Sequence, residues 1–473
     1  MTQTTQPRSR RRFLQTTAAA AAFSTFTIAG TKSSAKVLGA NDRIRVGVAG
    51  LNGRGGAHIG EFAKMENVEV SYLIDPDSRL FGGKIRQVES IDGNKPAVAQ
   101  DIREALDDDE LNAVSVATCN HWHSLITVWS CQAGKDVYVE KPCSGNVFEG
   151  RQCVEAARKY RRMVQHGTQR RSGGARGTLR DIAAGKKGKL THVRGYSPKG
   201  RSSIGTKETK SPPAELDFNI WLGPAPDQPY HQNLVHYNWH WFWDTGNGDI
   251  GNFGVHEMDE CRWIIPNATL PKSVVSFGGR FLWNDQGQTP NLQMTVFDYG
   301  EVKLIFEVSN MRNFERNRPK TVFDKNAEAK PVEIAHSPDV RNPSTDRGPG
   351  GGIFKNFIAA VRSRESTDLD AHIEEGHYSS ALCHLANISY RLGEQAGFSQ
   401  KPSELGDDPE VDATWQAFVN TAKANGVETT KTTFTLGRAL KFDPESEKFV
   451  GDEDADALLT RPYRKPFVVP EKV

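Results

Sequence analysis

The chain is poor in several features that would assign its class at once. Its six cysteines are scattered over 473 residues, and none stands in a Cys-x-x-Cys pair. That excludes a disulfide-built scaffold and leaves no thiolate metal or redox motif. Charge of one sign is also missing: 60 lysines and arginines face 58 aspartates and glutamates, a formal net charge of +2. Such a balance gives no general reason to expect nucleic acid or an anionic membrane as partner. The apolar stretch near the start, Thr16–Ile28, is shorter than the roughly 20 residues of an ordinary membrane span. What is present is length for two domains and extras, with 37% hydrophobic and 25% charged residues.

The first residues read as an address. Ser9-Arg10-Arg11-Arg12-Phe13-Leu14-Gln15 runs straight into Thr16–Ile28, small residues follow at Ser33-Ser34-Ala35, and no acid occurs before Asp42. A basic start, a short apolar stretch and small residues fit a cleavable signal peptide over residues 1–35; the alternative is a disordered basic arm. Paired arginines followed by Phe-Leu resemble a twin-arginine signal. The resemblance implies the twin-arginine export machinery as a partner and a bacterial periplasmic destination. Its substrates cross the membrane folded, so a ligand captured in the cytoplasm would travel with the chain.

Arg43–Ala49 is apolar and β-branched like a buried strand, and it ends in Gly50-Leu51-Asn52-Gly53-Arg54-Gly55-Gly56. A helix is expected roughly from Gly56 to Met65. Strand, glycine-rich turn and helix form the context in which a dinucleotide fingerprint is credible. Gly50 and Gly55 allow a tight turn, and the helix start offers free N–H groups to pyrophosphate. Asn52 replaces the middle glycine, and Gly53 can relieve its bulk; Arg54 belongs to the same turn. Val68–Ile74 reads as a second strand ending at Asp75. An acid there accepts from the adenosine ribose hydroxyls and repels a 2′-phosphate, so NAD is favoured over NADP. Arg79 is near enough to soften that preference.

Alternation continues. Helices are expected at Ser78–Val88, at Ile102–Leu106 capped by Asp101, at His123–Ala133 and at Asn146–Tyr160. Strands are expected at Ala113–Thr118, Asp136–Val139 and Met163–Gln165. Repeated β-α-β units imply an α/β fold: a Rossmann domain with a parallel sheet and ligand at the strands' carboxyl ends.

Val46–Gly55, Asp75, Ala113–Asn120, Gly134–Pro142 and Gly246–His256 together resemble the Gfo/Idh/MocA family of glucose–fructose oxidoreductases and inositol dehydrogenases, over residues 43–395. The resemblance implies a Rossmann domain over 41–170 and a C-terminal α/β domain over 171–397 with an open, mostly antiparallel sheet. Residues 398–473 form an extension expected to wrap the domain or join a subunit contact. It implies that Lys141, after Glu140 and before Pro142, contacts the reacting hydroxyl and the nicotinamide ribose. Thr118 and Asn120 fall on its cofactor loop, with Cys119 where the family has proline, and His123 matches a histidine at the start of the next helix. His256 falls on the family's proton acceptor, but the aspartate that helps it is Asn252, which can orient an imidazole without stabilising its charge. Asp249 or Asp259 could substitute. A homo-oligomer is implied, because the open sheet face usually packs on another subunit.

Tyr237–Asp244 is dense in aromatics, and Trp239, His240 and Trp243 suit the faces and hydroxyls of a sugar or polyol; a buried strand explains the composition equally. His121-Trp122-His123 has too few ligands for a metal site, and none is expected. His377 and His384 share a helix face, which core packing explains as well. Gly173–Gly177, Ser197–Pro213 and Pro338–Gly352 read as loops. Further strands are expected at Thr191–Tyr196, Ser273–Gly278, Gln293–Phe297 and Val302–Val308, with helices at Gly351–Val361 and Glu374–Gln395.

The leading expectation is an enzyme that moves hydride between a sugar or polyol and a tightly held NAD, with Lys141, Asn252 and His256 catalytic. A glycosidase using transient oxidation by bound NAD is the second; net reduction of cofactor separates the two. A non-catalytic sugar-binding protein on the same fold is the third.

Overall fold

Alternating Ile44, Val46 and Val48 are fully buried, which fixes Ile44–Ala49 (β1) as a central strand. The molecule is known from a computed structural model that describes residues 43–172, 176–316, 318–327, 329–334 and 352–473. The signal segment 1–35, most of the Gly173–Gly177 loop and the Pro338–Gly352 loop up to 351 lie outside the described residues.

Val68–Ile74 (β2), Ala97–Ala99 (β3), Ala113–Val116 (β4), Asp136–Val139 (β5) and Val164–His166 (β6) join β1 in a parallel sheet of order β3-β2-β1-β4-β5-β6. The order reverses between β1 and β4, and ligands of such sheets bind outside the strands' carboxyl ends at that point. The intervening helices start where local chemistry allows. Asp101 caps Ile102–Leu106 through the Arg103 N–H, and Asn146 caps Val147–Tyr160 through the Glu149 N–H. The segment expected as one helix from Ser78 is a short 3-10 turn, Ser78–Leu80, followed by Phe81–Asp92.

The second sheet is built on Lys189–Pro198 (β7), Ser273–Gly279 (β8), Leu292–Asp298 (β9) and Lys303–Ser309 (β10), in order β7-β10-β9-β8. All its pairings are antiparallel except β7 with β10. Thr321–Asp324 (β11) extends one edge, and Glu394–Gly397 (β12) with Thr433–Leu436 (β13) extends the other. Residues beyond 397 therefore contribute strands to this sheet, including Leu440–Asp443 (β14), which pairs with β8.

One face packs on the helices Val255–Ile264 and Ile373–Arg391. The other carries Val275, Phe277, Met294, Val296 and Ile305. That face was expected to await a second subunit. Instead Trp415 and Phe418 of the helix Pro409–Ala424 cover it, along with Phe398 and Phe434. Farther on, Phe467 and Val469 pack into the core of the first domain.

Candidate active site

The turn after β1 is set by two steric requirements. Gly50 has φ +84°, and a Cβ there would lie 2.5 Å from the Ala117 carbonyl oxygen. A Cβ on Gly55 would lie 1.8 Å from the Gly50 carbonyl oxygen. Gly55 thus serves the fit of helix to turn and does not line the cavity, contrary to a direct cofactor role. Gly53 has φ +40° with nothing within 4 Å of its absent Cβ. It precedes the helix Arg54–Ala63, whose start has no side-chain cap. Gly55 and Gly56 donate to the Asn52 and Gly53 carbonyls at 3.1 Å, so among the described residues only the Gly53 and Arg54 N–H groups are left to a ligand. Asn52 is exposed at the cavity wall and does not fold back into the turn.

Asp75 closes the next strand. It is buried and accepts from the Leu51 N–H at 2.8 Å and the Asp77 N–H at 2.9 Å. Burial raises its pKa, and these two N–H groups oppose the rise. Arg79 is held by the Asp77 carboxylate at 2.7 Å from Nε, so it is engaged beside the acid.

At the end of β5, buried Glu140 accepts from Arg54 Nε at 2.7 Å, His58 Nε2 at 3.1 Å and Gln169 at 3.2 Å. Burial pushes its pKa up, but hydrogen bonding and charge from His58, with Arg54 and Lys141, hold it well below the usual carboxylate range. Lys141 Nζ donates to the Asn252 carbonyl oxygen at 2.6 Å and faces Asn252 Oδ1 at 3.5 Å. Burial lowers the Lys141 pKa, against the opposing charge of Glu140.

Asn252 sits in a π-helical turn, Ile250–Gly254, that leads into the helix Val255–Ile264. It lines the cavity with Lys141, and its amide donates to Asp249 at 3.1 Å. Neither acid proposed as a substitute backs His256. Asp249 is held by Arg201 at 2.9 and 3.0 Å and by Asn310. Asp259 is paired with Arg171 at 2.8 Å and accepts from Ser379 at 2.6 Å. His256 itself is not among the residues lining the cavity, its Nδ1 is buried without a partner, and burial and the Lys141 charge push its pKa down to about 3. The residue as a whole is half-buried, within reach of the Lys141 charge.

Thr118, Asn120 and His123 line the same cavity. The helix expected to begin at His123 begins at Asn120. The His123 ring lies between two carbonyl oxygens, Pro142 at 2.6 Å and Thr118 at 3.0 Å. His121 lies likewise between those of Trp221 at 2.9 Å and Thr245 at 3.3 Å. Both imidazoles are thus engaged by backbone. Among the described residues no group of three or more His, Cys, Asp or Glu is placed to hold a metal.

The other wall comes from the second domain. Trp239 and His240 stack with ring centroids 3.6 Å apart, in a 3-10 turn (Asn238–Trp241). His240 Nδ1 is hydrogen-bonded to the Tyr237 carbonyl, which leaves Nε2 as the acceptor of a neutral ring. Burial pushes its pKa down to about 3, so the ring is neutral near pH 7. Trp243 does not reach the cavity; its ring lies under the Arg391 guanidinium at 5.4 Å, beside Tyr390.

Sequence reasoning missed a strap. Leu216 bridges Asp77, the Ser78 N–H donates to Glu215 O at 3.1 Å, and the Asp217 N–H donates to Pro76 O at 2.9 Å. His236 Nε2 meets Asp77 at 3.0 Å, and Trp122 Nε1 donates to the carbonyls of Ile220 and Trp221 at 3.0 Å. Ile220, Trp221, His236 and Tyr237 then line the cavity opposite Asp75. The contacts join positions 98 to 159 residues apart, so no local pattern announces them.

These residues fit a dinucleotide. The open cradle at Gly53 and the uncapped helix start suit pyrophosphate, Asp75 suits ribose hydroxyls, and Lys141, Asn120 and Asn252 converge at the other end. The family model described as "Oxidoreductase family, NAD-binding Rossmann fold" matches residues 44–168, and its companion, "Oxidoreductase family, C-terminal alpha/beta domain", matches residues 187–422.

A glycosyl hydrolase family 109 protein of Shewanella pealeana is 28% identical over 135 residues, 28% of this chain and 30% of that protein. An alpha-N-acetylgalactosaminidase of Shewanella oneidensis is 28% identical over 120 residues, 24% of this chain and 26% of its own length. The match thus spans less than a third of these curated relatives. Among solved structures, the WlbA dehydrogenase of Chromobacterium violaceum, in complex with NADH and UDP-GlcNAcA, superposes with TM-score 0.55 at 16% identity over 74% of this chain and 95% of that one. A levoglucosan dehydrogenase in complex with NADH gives TM-score 0.51 at 16% identity over 73% and 97%. At these identities the likeness shows the shared fold.

Proposed function

Because the chain belongs to the Gfo/Idh/MocA oxidoreductase family, we propose that it transfers hydride between a sugar or polyol and a tightly held NAD. The observation that carries this reading is one cavity uniting the glycine turn and Asp75 with Lys141, Asn252, Trp239 and His240. When bound, the nicotinamide supplies the hydride acceptor or donor.

The chain's own residues supply the rest. Lys141 Nζ, anchored by the Asn252 carbonyl, holds the reacting hydroxyl. Its burial-lowered pKa lets the amine take that proton as the C–H bond is lost, since a group titrating nearer the working pH is the better proton acceptor. His240 Nε2 accepts from a neighbouring hydroxyl, and the Trp239 face packs on the sugar's C–H surface. Asp75, with Arg79 engaged by Asp77, supports NAD over NADP. The strap anchored at Asp77 supports retention: its contacts must open before a nucleotide can leave.

Export fits retention. Arg10, Arg11, Phe13 and Leu14 support twin-arginine export to the periplasm, where a carried cofactor is an advantage. Self-association is assigned to a surface other than the sheet face under Pro409–Ala424. A second reading, a glycosidase that oxidises and re-reduces its substrate within one turnover, is favoured by the Shewanella relatives and by the strap.

The test is a panel of free sugars, polyols and chromogenic glycosides assayed with bound and added NAD. Net nicotinamide reduction by a free sugar supports the first reading. Glycoside cleavage without net reduction supports the second. Neither reaction, in protein that binds NAD, refutes both.

A further inference from the structure

Asn120 reaches the cavity already oriented, and the residue that orients it lies in the other domain. Its Nδ2 donates to Asn247 Oδ1 at 2.9 Å, across the domain boundary. The direction of that bond is fixed from behind. Asn247 Nδ2 donates to the Gly145 carbonyl at 3.1 Å, and a carbonyl can only accept. The same Nδ2 faces His384 Nδ1 at 3.3 Å, so Nδ1 is the unprotonated nitrogen. His384 Nε2–H then donates to Ser144 Oγ at 3.0 Å. The Asn247 backbone is held too, its carbonyl accepting from Asn387 Nδ2 at 3.0 Å. Asn120, His384, Asn247 and Asn387 are all buried, so each bond is shielded from competing water.

The consequence falls on Asn120 Oδ1. With its amide nitrogen committed to Asn247, its oxygen has no hydrogen bond to any described residue, and Asn120 lines the cavity beside Thr118 and Lys141. We propose that Asn247 is a positioning residue that turns the Asn120 amide so that its oxygen meets the bound nucleotide as a hydrogen-bond acceptor, with His384 and Ser144 locking the arrangement. The donor it awaits is a hydroxyl or amide N–H of the ligand. The same chain ties the two walls of the cavity together, because Asn120, Ser144 and Gly145 belong to the first domain and Asn247, His384 and Asn387 to the second. It also accounts for the paired histidines on the helix Ile373–Arg391. His384 belongs to this chain, whereas His377 Nε2 pairs with Glu447 at 2.9 Å.

The inference rests on the dinucleotide reading, and the experiment separates the two. Full-length protein is loaded with NADH, and dissociation is followed by nicotinamide fluorescence after mixing with excess NAD. Wild type, N120A, N247A and the N120A/N247A double variant are compared, with melting curves for each. N120A and N247A should each release NADH about tenfold faster than wild type, the worth of one buried hydrogen bond. The double variant should be no faster than N120A, since Asn247 acts through Asn120. N247D keeps an acceptor for Asn120 but loses the donor to Gly145, so it should release NADH faster than wild type and more slowly than N120A; it carries the test if N247A melts too low to measure. Effects of N120A and N247A that multiply, an N247A rate equal to wild type, or a folded N247D that releases NADH as fast as N120A would each overturn the proposal. Wild type that fails to bind NADH would overturn the dinucleotide reading instead.

Discussion

Replacing Gly55 with alanine tests the turn that shapes the nucleotide site. The added Cβ would stand 1.8 Å from the Gly50 carbonyl oxygen, against the roughly 3.5 Å at which non-bonded heavy atoms rest. Helix and turn must therefore part by on the order of 1.5 Å. The turn cannot yield easily, because the Gly50 N–H is bonded to Ile74 O at 2.8 Å and the Gly50 α-carbon is packed against the Ala117 backbone. Overpacking of this kind costs about 1–3 kcal/mol. A displacement of that size in a binding constellation lowers NADH affinity on the order of a hundredfold. Gly60 on the same helix is the internal control. A Cβ there meets nothing closer than Gln87 Nε2 at 3.9 Å, and alanine should stabilise the helix by about 0.5–1 kcal/mol. Urea unfolding and NADH fluorescence titration read both quantities. If G55A binds NADH as wild type does, or if G60A is equally damaging, the steric argument is wrong.

Three further outcomes follow from the same geometry. K141M should lower kcat/KM about 10²- to 10⁴-fold on whichever sugar is turned over, while NADH affinity changes only a few-fold; in wild type, burial holds the Lys141 pKa down, so sugar oxidation should rise with pH and level off below the ordinary lysine value. D75S should erode the preference for NAD over NADP by about tenfold or more, because it removes both the ribose acceptor and the charge that repels a 2′-phosphate; affinity titrations with both nucleotides check this. R171L strips buried Asp259 of its two-pronged partner, leaving Ser379 and the more distant Arg262 at 4.0 Å, and should cost about 3 kcal/mol in urea unfolding, whereas R171L/D259N should cost less than the sum of the single changes.

The parallel sheet was legible because its strands carry their own signal. Val46, Val48, Val114, Val137 and Val139 are β-branched and fully buried, and each strand ends in a residue of distinct chemistry. Helix starts were less legible. The cofactor-loop motif at Asn120 masks a helix start, for the helix follows Cys119 directly. Gly177 hides the helix Arg176–Ala183, and the mixed charge around Pro409–Ala424 hides that helix despite the Asp408 cap and the first-turn Pro409. At the site, Gly50, Asp75, Glu140 and Lys141 were found because their chemistry is local. The strap around Leu216, the Asn247 chain and the engagement of Asp249 and Asp259 were not, because each depends on partners distant in sequence. Trp243 shows the opposite failure. The residue type was right for the chemistry, but its ring packs under Arg391 and is not among the residues lining the cavity.

The central claim is a retained NAD in the cavity beneath the strap. A mass spectrum of small molecules released by denaturing protein purified without added cofactor tests it most directly. NAD or NADH is expected at close to one per chain. Protein that releases no nicotinamide dinucleotide, and that takes up none when NAD is supplied, would contradict it.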